Sequence, residues 1–84
     1  MNRRKLLARL ALGNLENVAF GEIVQLVEGF GFSLLRVRGS HHIFGRPGIK
    51  ELVNLQEVKG QAKPYQIRQF LRLVERYNIN MEDE

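Results

Sequence analysis

The strongest constraint on this chain is a change of apolar period at Gly31. Upstream, Phe20, Ile23, Val24, Val27 and Phe30 fall on one helical face, with Glu22, Gln25 and Glu28 opposite. Downstream, Phe32 to Arg38 reads as a strand that ends at Gly39-Ser40, and His41 to Phe44 resumes at once. Two residues with glycine leading are a hairpin turn. Arg46-Pro47-Gly48 is a second turn, and Lys50 to Gln56 a third strand. Strands joined this tightly predict an antiparallel meander. Lys59 to Lys63 reads as a polar, basic loop. Pro64 then suits a first helical position, where its missing N–H is not needed. Ile67, Phe70, Leu71, Val74 and Tyr77 mark an apolar helical face, and Arg68, Arg72 and Arg76 a cationic stripe.

Ahead of this core, Leu6, Leu7, Leu10 and Ala11 have helical spacing, with Asn2 as cap and Gly13-Asn14 as stop. That short helix reads as an appendage. The expected class is α+β: an α-β-β-β-α sandwich, its three-stranded antiparallel sheet covered on one face by the helices at 20–30 and 64–77. The divisions expected are an N-terminal helical extension over 1–17, the body over 18–77, and an acidic, solvated tail over 78–84.

The chain has 84 residues and no cysteine. At that length one domain is expected, burying roughly 60–65% of its unfolded surface. Without cysteine there is no disulfide, thiolate metal site or thiol catalyst, which suits a reducing, cytoplasmic setting. No apolar run is long enough for a membrane span. Met1 to Gly13 superficially resembles a signal peptide, but Arg9 interrupts it and no clear small-residue cleavage site follows, so it reads as part of the mature domain. Net charge is +4, and residues 1–81, with thirteen basic and six acidic side chains, balance at +7. Such a body attracts polyanions, although composition alone weighs RNA binding and an idle basic surface about equally.

His41 and His42 are the only histidines. Imidazole is the side chain that titrates nearest neutrality, so acid–base chemistry points to them first. Strand alternation sends the two rings to opposite faces, one to a substrate and the other towards the helices or the sheet edge. Taken alone, ordinary strand histidines are the better reading. Metal chelation is disfavoured, because adjacent strand histidines diverge and no carboxylate lies near them in sequence. Ser40 beside His41 is no triad, and Gly29-Phe30-Gly31 leads into a strand, unlike a dinucleotide fingerprint. Metal-free RNA cleavage fits better, since RNA carries its own 2′-hydroxyl nucleophile. A histidine can take that proton, with Arg36, Arg38, Lys59 and Lys63 near the phosphate, though any one of these cations is more simply a solvated charge. Tyr65 could stack on a base, with packing at the helix start the simpler role.

The run Gly31-Phe32 through Gly39-Ser40-His41-His42-Ile43-Phe44 resembles the signature of the HicA toxin family, and the stretch from Val53-Asn54-Leu55-Gln56 through Lys63-Pro64-Tyr65-Gln66 resembles a longer HicA-like subgroup. The resemblance covers about residues 18–77. Many members carry a Pro-containing basic motif after the third strand, where this chain reads Leu55-Gln56-Glu57-Val58-Lys59. The resemblance implies a double-stranded-RNA-binding-domain-like fold and an mRNA endoribonuclease toxin of a type II toxin–antitoxin pair, without metal or other cofactor. It implies His41 as the catalytic histidine with His42 in reserve; Arg36, Arg38, Ser40, Lys59 and Lys63 are the RNA contacts expected beside it. The partners implied are mRNA and a HicB-like antitoxin, with no membrane and no small-molecule substrate. The alternatives are a non-catalytic RNA-binding module, or a domain whose working contact is the antitoxin.

Overall fold

The computed structural model describes residues 2–81; Met1 and the acidic Glu82, Asp83 and Glu84 lie outside the described residues. The elements run α1 (Arg3–Ala11), α2 (Phe20–Gly29), β1 (Ser33–Arg38), β2 (His41–Arg46), β3 (Ile49–Val58), β4 (Gln61–Ala62) and α3 (Pro64–Tyr77). The strands form one sheet in the order β1-β2-β3-β4, every neighbouring pair antiparallel. The expected α+β arrangement is present, compatible with a double-stranded-RNA-binding-domain-like fold, with four strands rather than three.

The extra strand lies where a basic loop was expected. Lys59 and Gly60 both have positive φ, 52° and 79°, the backbone of a tight two-residue hairpin turn. A lysine at the first position hides that turn from a reading based on Asn-Gly or Asp-Gly pairs. Ala62 is buried, and its N–H donates to the Val18 carbonyl, while the Phe20 N–H donates to the Gly60 carbonyl. The segment entering α2 thus closes the far edge of β4.

The helix ends share one local device. After α2, the Gly31 N–H donates to Glu28 O and the Phe32 N–H to Val27 O, with Gly31 at φ 88°. This crossed pair satisfies carbonyls that the helix cannot, and it brings two buried apolar residues, Phe32 and Val27, together across the turn. Asn78 does the same after α3 at φ 53°, and Ile79 and Met81 then pack against the core. The described part of the tail, expected to be solvated, therefore packs against the core through Ile79 and Met81. At the other end of the chain Asn2 caps α1, accepting from the N–H groups of Arg4 and Lys5.

One core sits between the helices and one face of the sheet. Phe44, Val53 and Leu55 rise from the sheet to meet Ile23, Val27, Phe30, Ile67, Phe70 and Leu73. Leu6 and Leu10 of α1 are buried in the same core, so α1 is packed into the domain rather than hung on it. That packing explains why Leu26, outside the expected stripe, is fully buried: α2 has α1 on a second side. On α3 the buried stripe is Gln66, Ile67, Phe70 and Leu73, while Tyr77 is exposed.

Among the described residues Gln66 is the one buried polar side chain, 3% exposed. Its Oε1 accepts the Gln56 N–H at 2.7 Å, substituting for a ladder bond beyond the end of the short β4. Replacing it by leucine is expected to leave that N–H unpaired and to lower stability by about 1–3 kcal/mol, read from urea unfolding. An unchanged midpoint would show that the bond contributes nothing net.

A second clamp joins β3 to α3. The Tyr77 hydroxyl donates to Glu51 Oε1 at 2.5 Å, and Arg76 Nη1 donates to Oε2 at 3.1 Å. The hydroxyl holds the Glu51 carboxyl below its ordinary value, with smaller help from Arg76, and the same bond raises the Tyr77 phenol. A carboxylate whose pKa is depressed on folding stabilises above its unfolded pKa and loses that contribution as pH falls through the folded one. A phenol raised on folding loses its contribution only as pH climbs past the ordinary phenol range. Tyr77→Phe is therefore expected to weaken the acid dependence of stability below about pH 5. Thermal unfolding across pH checks this, and superimposable curves for wild type and variant would contradict it.

Candidate nucleic-acid interface

The helices cover one face of the sheet and leave the other open. Register decides which side chains stand on it. Phe44 is buried against the helices, so His42 and Arg46 share its face, while His41, Ile43 and Gly45 take the open one. His42 lies with its ring 4.7 Å from that of Phe20, at the start of α2. Its Nδ1 is 3.2 Å from the Ser40 carbonyl oxygen, which can only accept, so that nitrogen carries the proton. The same carbonyl accepts the Glu57 N–H. Gly39, at φ 57°, leads the turn that brings the chain back. The hairpin tip is thus held from its helix side by His42 and from its flank by β3.

Opposite His41 on β1 is Arg38, and opposite Ile43 is Arg36. Both arginines reach the open face because β1 carries a bulge between Leu34 and Arg36. A one-residue slip exchanges the faces of a strand, so Leu34 can face the Phe44 side while Leu35, Arg36 and Arg38 face away. On β3, Gln56 lies opposite His41 and Asn54 opposite Ile43. Directly paired residues on one face have Cβ atoms roughly 5 Å apart and diagonal ones 7–8 Å. His41 is therefore bordered by Arg38 and Gln56, with Arg36 and Asn54 diagonal to it. The His41 Nδ1 lies 3.2 Å from Asn54 Oδ1.

The electrostatics of this face are one-sided. β1 and β2 contain no acidic residue. The two acids of β3 alternate to the other side: Glu51 bonds to α3, and Glu57 pairs with buried Ala62. By the same alternation Lys50 joins the open face. Among the described residues Arg36 and Arg38 form no ion pair. A face with free cations and no carboxylate attracts anions along its length.

The other expected contacts are distributed differently. Ser40 is at the tip beside His41, and its carbonyl is committed to the hairpin. Lys59 occupies the β3–β4 turn, at the same end of the sheet as Gly39-Ser40. Lys63 precedes α3 with its ammonium 5.9 Å from the centre of the Tyr65 ring, and no contact joins either lysine to His41. Asn54, Gln56 and Lys50 were not singled out in the sequence; their common parity with His41 across β3 was the available signal. Among the described residues no three His, Asp or Glu side chains gather as a metal-ligand cluster. No helix among the described residues is long and apolar enough to cross a membrane.

A family model described as the HicA toxin of bacterial toxin–antitoxin systems matches residues 20–75, two thirds of the chain. Nothing among curated proteins or solved structures matches it.

Proposed function

The chain belongs to the HicA toxin family of bacterial toxin–antitoxin systems, and we propose that it is a metal-independent mRNA endoribonuclease that uses His41. The supporting observation is the position of that histidine on an open, carboxylate-free sheet face beside Arg36 and Arg38. A single RNA strand laid across β1 to β3 would present a phosphate to the two guanidinium groups with the 2′-hydroxyl of the preceding ribose towards His41. The imidazole would take the hydroxyl proton as the 2′-oxygen bonds to phosphorus and the P–O5′ bond breaks, and a water molecule would protonate the departing 5′-oxygen. The products are a 2′,3′-cyclic phosphate and a 5′-hydroxyl. The guanidinium groups would stabilise charge gathering on the phosphoryl oxygens. Lys59, at the near end of the sheet, would extend the track for the backbone, while Ser40 and Lys63 would make peripheral contacts. His42 would support the tip. Residues 18–77 would form the working body, with 1–17 its helical extension and 78–84 its acidic tail. The setting proposed is the cytoplasm.

A toxin of such a pair has an antitoxin partner, which we take to be HicB-like and to cover the basic face. A second reading, in which the antitoxin contact is the only function, draws on β1. This edge strand leaves Leu34, Leu35 and Val37 about half exposed. Leu35 and Leu52 also border an apolar recess of about 370 Å³. Exposed apolar edges of this kind are usually covered by a partner.

Incubating the purified chain with RNA, with and without chelator, separates the readings. Chelator-resistant scission leaving cyclic phosphate ends is expected. Chelator-sensitive scission would defeat the metal-free chemistry. Salt-sensitive binding without scission would indicate an RNA-binding module, and negligible affinity at low salt an antitoxin-binding domain.

A further inference from the structure

We infer that Asn54 holds His41 in the Nδ1–H tautomer and so presents an unprotonated Nε2 to the open face of the sheet. The inference deepens the proposed nuclease reading and rests on it for its catalytic consequence. A neutral imidazole has one nitrogen that donates and one that accepts, and the partner of one decides the state of the other. Asn54 Oδ1, 3.2 Å from His41 Nδ1, can only accept. The proton is then on Nδ1, and the lone pair that could take a 2′-hydroxyl proton is on Nε2, at the far side of the ring. Asn54 also limits rotation of the ring. It is a positioning residue, since it acts through His41.

The amide is neutral, and that choice has a consequence. A carboxylate at this position would favour imidazolium, the form with no lone pair left to accept a proton. It would also place the only negative charge on a face otherwise free of carboxylates. The charged groups nearest His41 on this face are Arg36 and Arg38 of β1; Asn54 and Gln56 of β3 are neutral, and no helix packs here. The group that orients the ring is therefore neutral, on a face whose nearest charges are both positive.

The two histidines make the test direct. Long-range ¹H–¹⁵N spectra of the full chain report the tautomer of each ring, with His42 as internal reference. His41 is expected in the Nδ1–H form. In Asn54→Ala it should revert to a mixture dominated by Nε2–H, as in free imidazole side chains, while His42 stays unchanged. In Asn54→Asp the ring should protonate about one pH unit higher. RNA cleavage by Asn54→Ala is expected to fall at least 10-fold in kcat with little change in KM, because orientation and not binding is lost. The acid limb of the Asn54→Asp pH profile should move up with the ring titration. Wild-type His41 in the Nε2–H form would overturn the inference, because Asn54 would then be donating through its amide nitrogen. So would a tautomer insensitive to Asn54→Ala. A tautomer set by Asn54 together with unchanged cleavage in Asn54→Ala would overturn the positioning role. A tautomer set by Asn54 in a chain that never cuts RNA supports the proton placement and defeats the nuclease reading instead.

Discussion

His41→Ala is expected to reduce RNA cleavage by about 10²–10⁴-fold, the range associated with loss of a general acid or base, while leaving the fold intact. The structure explains why the two effects separate. The His41 ring stands on the open face, and its side-chain hydrogen bond is with Asn54, itself exposed. Its removal leaves no cavity in the core and no buried group unpaired. The neighbouring substitution should behave in reverse. His42→Ala removes a ring packed on Phe20 and the donor to the Ser40 carbonyl. It is expected to cost about 1 kcal/mol of stability and to slow cleavage less. Rates on a defined RNA, set beside thermal unfolding of both variants, check the pair. If His41→Ala cuts RNA at the native rate, His41 is not the base. A larger loss of cleavage from His42→Ala, with its melting curve unchanged, would exchange their roles. In cells, His41→Ala should likewise relieve any growth arrest caused by the wild-type chain.

Much of this geometry was legible from residue types, and the divergence of the two rings was among the clearest parts. Which ring faces out was left open, although Phe44 offered the signal. An unmistakably apolar residue two positions after His42 assigns His42 to the buried face and His41 to the open one. Asn54 was less accessible. Counting back from the Pro47-Gly48 turn without irregularity sets His41 directly against Asn54. The structure has a register shift of two residues between Phe44 and Arg46, so Gln56 takes that place and Asn54 becomes diagonal. A shift of two preserves the face but changes the neighbour, and no local propensity announces it. The bulge at Leu35 was hidden for a similar reason. Leu34, Leu35, Arg36, Val37 and Arg38 read as an edge strand under either pairing, and only the partner's register shows that the chain changes face.

The fold was readable where the period was long and the punctuation strong. Pro64, Gly31 and the Gly39-Ser40 turn mark boundaries through backbone constraints that act locally. The departures arose where tertiary contacts decide. β4 has two residues, with no periodicity of its own, and exists because it pairs with β3 on one side and meets the segment entering α2 on the other. α1 was taken for an appendage because its own pattern is short. Its two buried leucines join the core because α2 presents a second apolar side, including Leu26, that a single-stripe reading cannot anticipate.

The largest stability effect is expected at Phe70. Its side chain is 1% exposed, and its ring meets Phe30 and Phe32 edge-on at centroid distances of 5.7 and 5.8 Å. Phe30 ends α2, Phe32 leads into β1 and Phe70 lies midway along α3, so one ring joins both covering helices and the start of the sheet. Truncation to alanine removes the burial of the ring and leaves a cavity whose lining cannot readily collapse, because the backbone on two sides is fixed by the turn at Gly31. The cost for such a site is about 3–5 kcal/mol. A domain of this length has a total stability on the order of 4–12 kcal/mol. Phe70→Ala should therefore lower Tm by roughly 15–30 °C, or leave the chain unfolded at ordinary temperature. Phe70→Leu, which fills part of the space, should lose clearly less. Circular dichroism melts of the two variants give the comparison. A loss of less than about 5 °C for alanine would mean that the three rings do not hold the helices and sheet together. If Phe70→Leu remains folded, it should also retain RNA cleavage, because Phe70 touches the opposite side of the sheet from His41.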